Sequence, residues 1–318
     1  MSASPPNPEH LLRRLDWTVI RRLDGLLQGD YRTLFRGSGM DLADLREYQL
    51  HDDARHIDWN VTARMNTPYV REHHEDREIT AWFLLDLSPS MDLGSGERRK
   101  RDALIEFTAV LARILTRRGN RVGALFYSGR GLDGVIPAGT GRRHVLRLLH
   151  ALESRPELTT AQPTDLTAFL RAGFNILRRR SLVFVVSDFI SAAPWDDALA
   201  QLSQRHEVLA VRLYDPLENE LPDLGLLTMQ DAETGEQLFI DTHDRGFRKR
   251  FAKAAETREL RLRTAFRRAG VDALEISTDD DLADAILRFA DLRKRRSRLS
   301  AGAVLPRVPD LPDDVPVA

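Results

Sequence analysis

The sequence, 318 residues long, contains no cysteine. That absence excludes disulfides, thiolate metal sites and a cysteine nucleophile, and it suits a reducing compartment. Net charge is nearly absent as well. Lys and Arg number 47 against 48 Asp and Glu, leaving a formal charge of −1. Bulk charge therefore points neither to a polyanionic partner nor to a membrane surface. No apolar run approaches the roughly 20 residues needed to cross a bilayer. The N-terminal stretch MSASPPNPEHLLRRLDW lacks a secretory apolar core. Together these features predict a soluble cytoplasmic protein with no membrane insertion. Two chemical motifs are missing too. Without GxxxxGKS or GxxxxGKT a phosphate-loop ATPase is excluded, and without HExxH so is the common zinc-protease helix. The glycines of GRGLDG (129–134) read as a turn between strands.

Hydrophobic residues, at 42%, are numerous enough for a substantial core. Residues 1–8 are Pro-rich. Leu12, Leu15, Val19, Leu23 and Leu26 recur at spacings of three and four, one apolar face of a helix over 9–27. Residues 30–78 are polar, with a strand beginning or ending in YVREHHEDRE. From residue 79 the pattern alternates. Strands are predicted at 79–88, 121–128, 134–137, 181–188, 207–215 and 272–277, with a hairpin at 226–241. Helices are predicted at 100–118, 142–152, 165–178, 195–204, 246–269 and 281–295. Strands that are apolar throughout, alternating with helices, imply a doubly wound, mainly parallel sheet covered on both faces. The expected organisation is an N-terminal helix and polar extension over 1–78, an α/β domain over 79–298, and a Pro-rich, disordered tail over 299–318.

In such sheets ligands bind outside the carboxyl ends of the strands. Three polar groups fall there: Asp86, Ser88 and Ser90 after FLL; Pro163-Thr164-Asp165 ahead of a helix; and Ser187-Asp188 after LVFVV. Asp, Ser and Thr are hard oxygen donors, suited to Mg²⁺, with Mn²⁺ or Ca²⁺ as substitutes. Asp86, Ser88, Ser90, Thr164 and Asp188 would bring only two formal negative charges. An ion held this way stays electron-poor and attracts a carboxylate from outside. The structural alternative is that these residues are turn formers and caps, with Thr164 or Asp165 capping the helix of 165–178.

The five residues resemble the metal-ion-dependent adhesion site of von Willebrand factor A domains: Asp-x-Ser-x-Ser, a distant Thr and a distant Asp, in the same order. The resemblance implies that Ser88, Ser90 and Thr164 touch the ion directly while Asp86 and Asp188 act partly through water. This sequence has SDF at 187–189 where many A domains have TDG. A second resemblance extends from about residue 30 to the last helix. LREYQ-x-x-DD-x-R-x-IDW-x-x-x-AR, followed by the start of an A domain, is similar to the bacterial family called domain of unknown function 58. Its members are often encoded beside MoxR-type AAA+ ATPases. The resemblance implies a non-enzymatic, metal-dependent adaptor in chaperone-like assembly or maturation, with a MoxR-type AAA+ ATPase and an acidic protein ligand as partners. Many relatives carry N-terminal membrane helices, for which this sequence has no apolar run.

Other readings compete. Arg46, Glu47, Asp52, Asp53, Arg55, Asp58 and Arg64, near Tyr48 and Trp59, suit a charge-paired network tying the extension to the sheet. His51, Asp52, Asp53, His56 and Asp58, with His73 and His74, invite a metal-hydrolase reading, but no HExxH is present and histidines of a surface turn are the preferred reading. A phosphatase using Asp86 is the alternative enzyme, but that class wants a second Asp two residues on, where this chain has Ser88. The basic runs Arg178-Arg179-Arg180 and Arg293-Lys294-Arg295-Arg296 are better read as solvated, the second at a helix C-terminus, than as nucleic-acid contacts.

Overall fold

The computed structural model describes residues 8–23, 45–49, 57, 59–65, 67–71, 79–96, 98–129, 131–155, 164–230 and 237–302. The first helix, α1 (Pro8–Leu15), continues through a π-helical turn (Asp16–Ile20) to residue 23. Leu12, Leu15, Val19, Ile20 and Leu23 are buried along it. Strands β1 (Leu45–Glu47) and β2 (Tyr69–Arg71) pair antiparallel, with α2 (Trp59–Met65) between them. Trp59 is exposed. Most of the expected 46–64 charge network and the His51–His74 cluster lie outside the described residues, as do Leu26 and the tail from 303.

The main sheet has six strands: β3 (Thr80–Asp86), β4 (Arg121–Tyr127), β5 (Leu132–Gly139), β6 (Leu182–Ser187), β7 (Glu207–Tyr214) and β10 (Asp272–Ser277). Their spatial order is β10-β7-β6-β3-β4-β5. All neighbours run parallel except β4 and β5. A small hairpin, β8 (Leu226–Gln230) and β9 (Gln237–Asp241), stands apart. The helices are α3 (Lys100–Arg117), α4 (Gly141–Glu153), α5 (Leu166–Ile176), α6 (Asp196–Arg205), α7 (Arg245–Ala269) and α8 (Leu282–Gly302). This is the doubly wound α/β architecture that the alternating pattern predicts. Two elements exceed their sequence signals. β5 is an edge strand with a half-exposed, irregular face, so its apolar stretch marked only its middle, and Pro137 is tolerated at that edge. α8 runs on past Arg295, where its apolar periodicity stops. Arg293 on α8 pairs with Glu207 and Asp272, each at 3.3 Å, which makes it a packing residue.

Period-two alternation sends the strand side chains into two cores. Ala81, Phe83 and Leu85 of β3 join α1, α3, α4 and α8 on one face. Leu84 and half-buried Trp82 join α5, α6 and α7 on the other. Phe83 and Phe184 sit opposite each other across β3 and β6, with rings stacked at 4.9 Å, and this pair fixes the register. Among the described residues no helix is long and apolar enough to cross a membrane.

Helix α5 lies close on β3 because Gly173 has no side chain. A Cβ there would come within 2.7 Å of a methyl of Leu84, itself fully buried. Gly173→Val is expected to destabilise the protein by about 3 kcal/mol through overpacking, read from urea denaturation. An unchanged midpoint would mean that α5 can lift off β3 freely.

Candidate functional site

The chain leaves β3 towards one helical layer, through α3, and leaves β6 towards the other, through α6. The two strands are neighbours, so their carboxyl-end loops diverge at the position where doubly wound sheets form a ligand crevice. The register pairs Leu85 with Val186, which brings Asp86 level with Ser187. Ser187 Oγ donates to Asp86 Oδ2 at 2.6 Å, and the Ser88 N–H donates to Asp86 Oδ1 at 3.0 Å. A 3₁₀ turn (Pro89–Asp92) then carries Ser90 back, so that the Ser88 and Ser90 hydroxyl oxygens lie 3.2 Å apart. Asp188, just past β6, accepts the Ile190 N–H at 3.0 Å on Oδ1 and also takes a hydrogen bond from Ser90. Four of the five residues singled out in the sequence thus share one buried network.

Thr164, the fifth, is also buried, and its backbone holds its loop beside this network. Its carbonyl accepts Ser191 Oγ and the Ala192 N–H, both at 3.0 Å, clamping its loop to the one that follows Asp188. The helix cap is supplied by Asp165, which accepts the Ala168 N–H at 3.1 Å.

Sequence reasoning missed Lys100. It is the first residue of α3, its side chain is 0% exposed, and its Nζ lies 2.8 Å from Asp188 Oδ2 and 2.5 Å from Glu218 Oε1. Glu218 belongs to a 3₁₀ turn (Pro216–Glu218) after β7, held from behind by Arg258, which donates to its carbonyl at 2.6 Å. Burial alone would push the Lys100 ammonium down, but the two carboxylates outweigh it and hold it above its usual range. Burial likewise pushes Asp188 up, yet Lys100 brings it below the ordinary carboxylate value. Among the described residues no cation pairs with Asp86. Burial, reinforced by the charge of Asp188, pushes it up to about 6 despite the hydrogen bonds from Ser187 and Ser88.

The departure at 189 has a structural cost. Phe189 sits at φ 59°, the left-handed region that glycine adopts freely. Its ring packs against Trp195 and Phe266 at centroid distances of 5.1 and 4.9 Å, and Trp195 Nε1 donates to its carbonyl at 3.3 Å. The Phe189 N–H in turn donates to Ser187 Oγ at 2.9 Å. An aromatic cluster therefore holds a strained turn that aims both Ser187 and Asp188.

The donor set suits a small hard cation. Adjacent ligands of an octahedral Mg²⁺ lie about 2.9 Å apart, and those of the larger Ca²⁺ about 3.4 Å. The hydroxyl separation of 3.2 Å falls between those edges. Among the described residues no group of three or more His, Cys, Asp or Glu side chains is arranged to hold a metal. An ion in the crevice would rest on hydroxyls as well as carboxylates.

These features define an α/β protein with a hydroxyl-rich acidic cluster at the switch point of its sheet. Residues 44–261 match the family described as Protein of unknown function DUF58, and the chain belongs to it. Uncharacterized proteins of Mycobacterium tuberculosis and Mycobacterium bovis are 37% identical over 286 residues, covering 89% of each chain. Among solved structures, an aerotolerance-related membrane protein from Bacteroides fragilis aligns with a TM-score of 0.45 at 13% identity. It covers 68% of this chain and 99% of its own. BatB from Bacteroides thetaiotaomicron aligns with a TM-score of 0.41 at 14% identity, with the same coverages.

The carboxylate at 86 makes a signed prediction for the metal-free protein. Its folded pKa lies above the unfolded value, so its ionised form costs stability above about pH 6, and that cost fades as pH falls toward 3.8. In chelator, Asp86→Asn is therefore expected to stabilise the protein at pH 7.5 by about 2–3 kcal/mol, the equivalent of that shift at 1.36 kcal/mol per unit. The advantage should vanish near pH 4. Denaturant melts at the two pH values decide it, and a variant less stable at pH 7.5 would refute the assignment.

Phe189 makes a second prediction. Losing the buried ring costs about 3–5 kcal/mol, and glycine returns about 1 kcal/mol of left-handed strain that alanine does not. Phe189→Ala should be less stable than Phe189→Gly by about that 1 kcal/mol, measured by thermal and urea unfolding. Equal stabilities would mean that residue 189 carries no strain.

Proposed function

We propose that this chain is a divalent-cation-dependent protein-binding adaptor that works with a MoxR-type AAA+ ATPase in assembly or maturation of other proteins. The observation that carries the reading is the rim cluster. Two buried carboxylates and two hydroxyls converge at the switch point, and the hydroxyl pair is spaced like one edge of a cation's coordination shell. Ser88, Ser90 and Thr164 would hold Mg²⁺ (or Mn²⁺ or Ca²⁺) directly, and Asp86 and Asp188 would assist partly through water. A bound ion supplies an electrophilic anchor for one carboxylate of an acidic protein ligand. The chain's own part is to keep the cluster dry, to keep its charge low through neutral hydroxyls, and to present it between diverging loops. The ATPase partner follows from the family resemblance.

Full-length protein immobilised in Mg²⁺ is expected to capture its partner from extract of the source cells, with an AAA+ ATPase among the proteins released by chelator. Asp86→Ala should abolish that capture while circular dichroism reports an unchanged fold. Capture that persists in chelator would overturn the reading.

The second reading is a phosphatase-like hydrolase, favoured by the position of Asp86, whose carboxyl is pushed up to about 6. Ser88 stands where such an enzyme needs its second acid. Turnover of a generic phosphate ester, lost in Asp86→Asn, would establish it.

A further inference from the structure

Lysine is rarely buried completely, because removing an ammonium from water is expensive unless it is paired. Lys100 is fully buried and paired twice. Its two carboxylate partners differ in place and exposure: Asp188 belongs to the rim cluster and is 1% exposed, whereas Glu218 stands on a separate turn and is 16% exposed. The ammonium lies on Asp188 Oδ2, and Oδ1 already accepts the Ile190 N–H. Both oxygens of Asp188 are thus engaged before any ion arrives. Glu218, at 2.5 Å, offers the ammonium a place to shift its weight without leaving the interior.

We infer that Lys100 is an internal counter-ion that competes with a divalent cation for Asp188, with Glu218 as its alternative seat, and so sets the affinity of the rim cluster. The inference rests on the cation-binding reading proposed above. In the metal-free protein Lys100 neutralises one of two neighbouring buried carboxylates and preserves the geometry of the crevice. When a cation enters, the same ammonium opposes it across a short, poorly screened distance. The affinity is weakened as a result, and the site is suited to repeated engagement more than to permanent occupancy.

Titration calorimetry of the full chain with MgCl₂, repeated with MnCl₂, tests this. Lys100→Met is expected to bind either ion about tenfold more tightly than the parent protein. In chelator it should also melt lower, with Mg²⁺ raising its melting temperature by more than it raises the parent's. Glu218→Gln is expected to act in the opposite direction, weakening binding about threefold or more, because the ammonium then belongs to Asp188 alone. Unchanged or weaker binding by Lys100→Met would overturn the inference and leave Lys100 as a structural tie. If that variant does not fold, Glu218→Gln decides alone, and unchanged or tighter binding overturns it. Binding by the parent with neither variant altered defeats the role of Lys100 only. No binding by any of the three proteins defeats the cation site itself.

Discussion

Two carboxylates buried within electrostatic reach of each other, Asp86 and Asp188, are the constraint around which the rest of this structure is arranged. Like charges in a dry crevice cannot both ionise without help. The chain provides that help unequally. Asp188 receives a lysine, whereas Asp86 receives neutral donors, the Ser187 and Ser88 hydroxyls and the Ser88 N–H. The two acids therefore differ in character, and a feature near them is explained by which acid it serves. The aromatic stack of Phe83 and Phe184 sets the level of the strands, Ser187 bridges them, and the strained turn at Phe189 aims the second carboxylate.

Burial of this kind is rarely kept for stability alone, since replacing buried charges with apolar residues is often neutral or stabilising. The site lies at the carboxyl edge of the sheet, on loops whose strands are held rigidly by two separate cores. That division of labour, with stiff strands and chemistry at their ends, is how doubly wound sheets bind ligands. It is also why the same fold serves many tasks and why the task must be argued from the side chains.

Much of this was readable in the residues. Apolar runs such as FLL and LVFVV read as buried strands because they are short, rich in β-branched and aromatic residues, and end on turn-forming polar residues. Polar residues that end such runs must fall at the sheet's rim, which is how Asp86, Ser88, Ser90 and Asp188 declared themselves. Lys100 and Glu218 did not. They lie 88 and 118 residues from their partners in the contact network, and a lysine within ERRKRD at the start of a helix looks solvated. Only the packing of α3 over the crevice turns it inward. Position 189 was visible as a departure from the usual glycine, but the aromatic cluster that tolerates it was not, because Trp195 and Phe266 reach it from two other elements. The edge strand β5 was shortened in the sequence because its exposed start and its glycines at 134 and 139 carry no strand signal.

The crevice is bounded by loops that belong to opposite helical layers, and Lys100 reaches from the first layer to a carboxylate that leads into the second. It is a rivet driven through the seam of the molecule. Any slippage of one layer past the other would be felt first at this fastening, which makes the centre of the rim cluster also the place where the two halves of the protein keep their alignment.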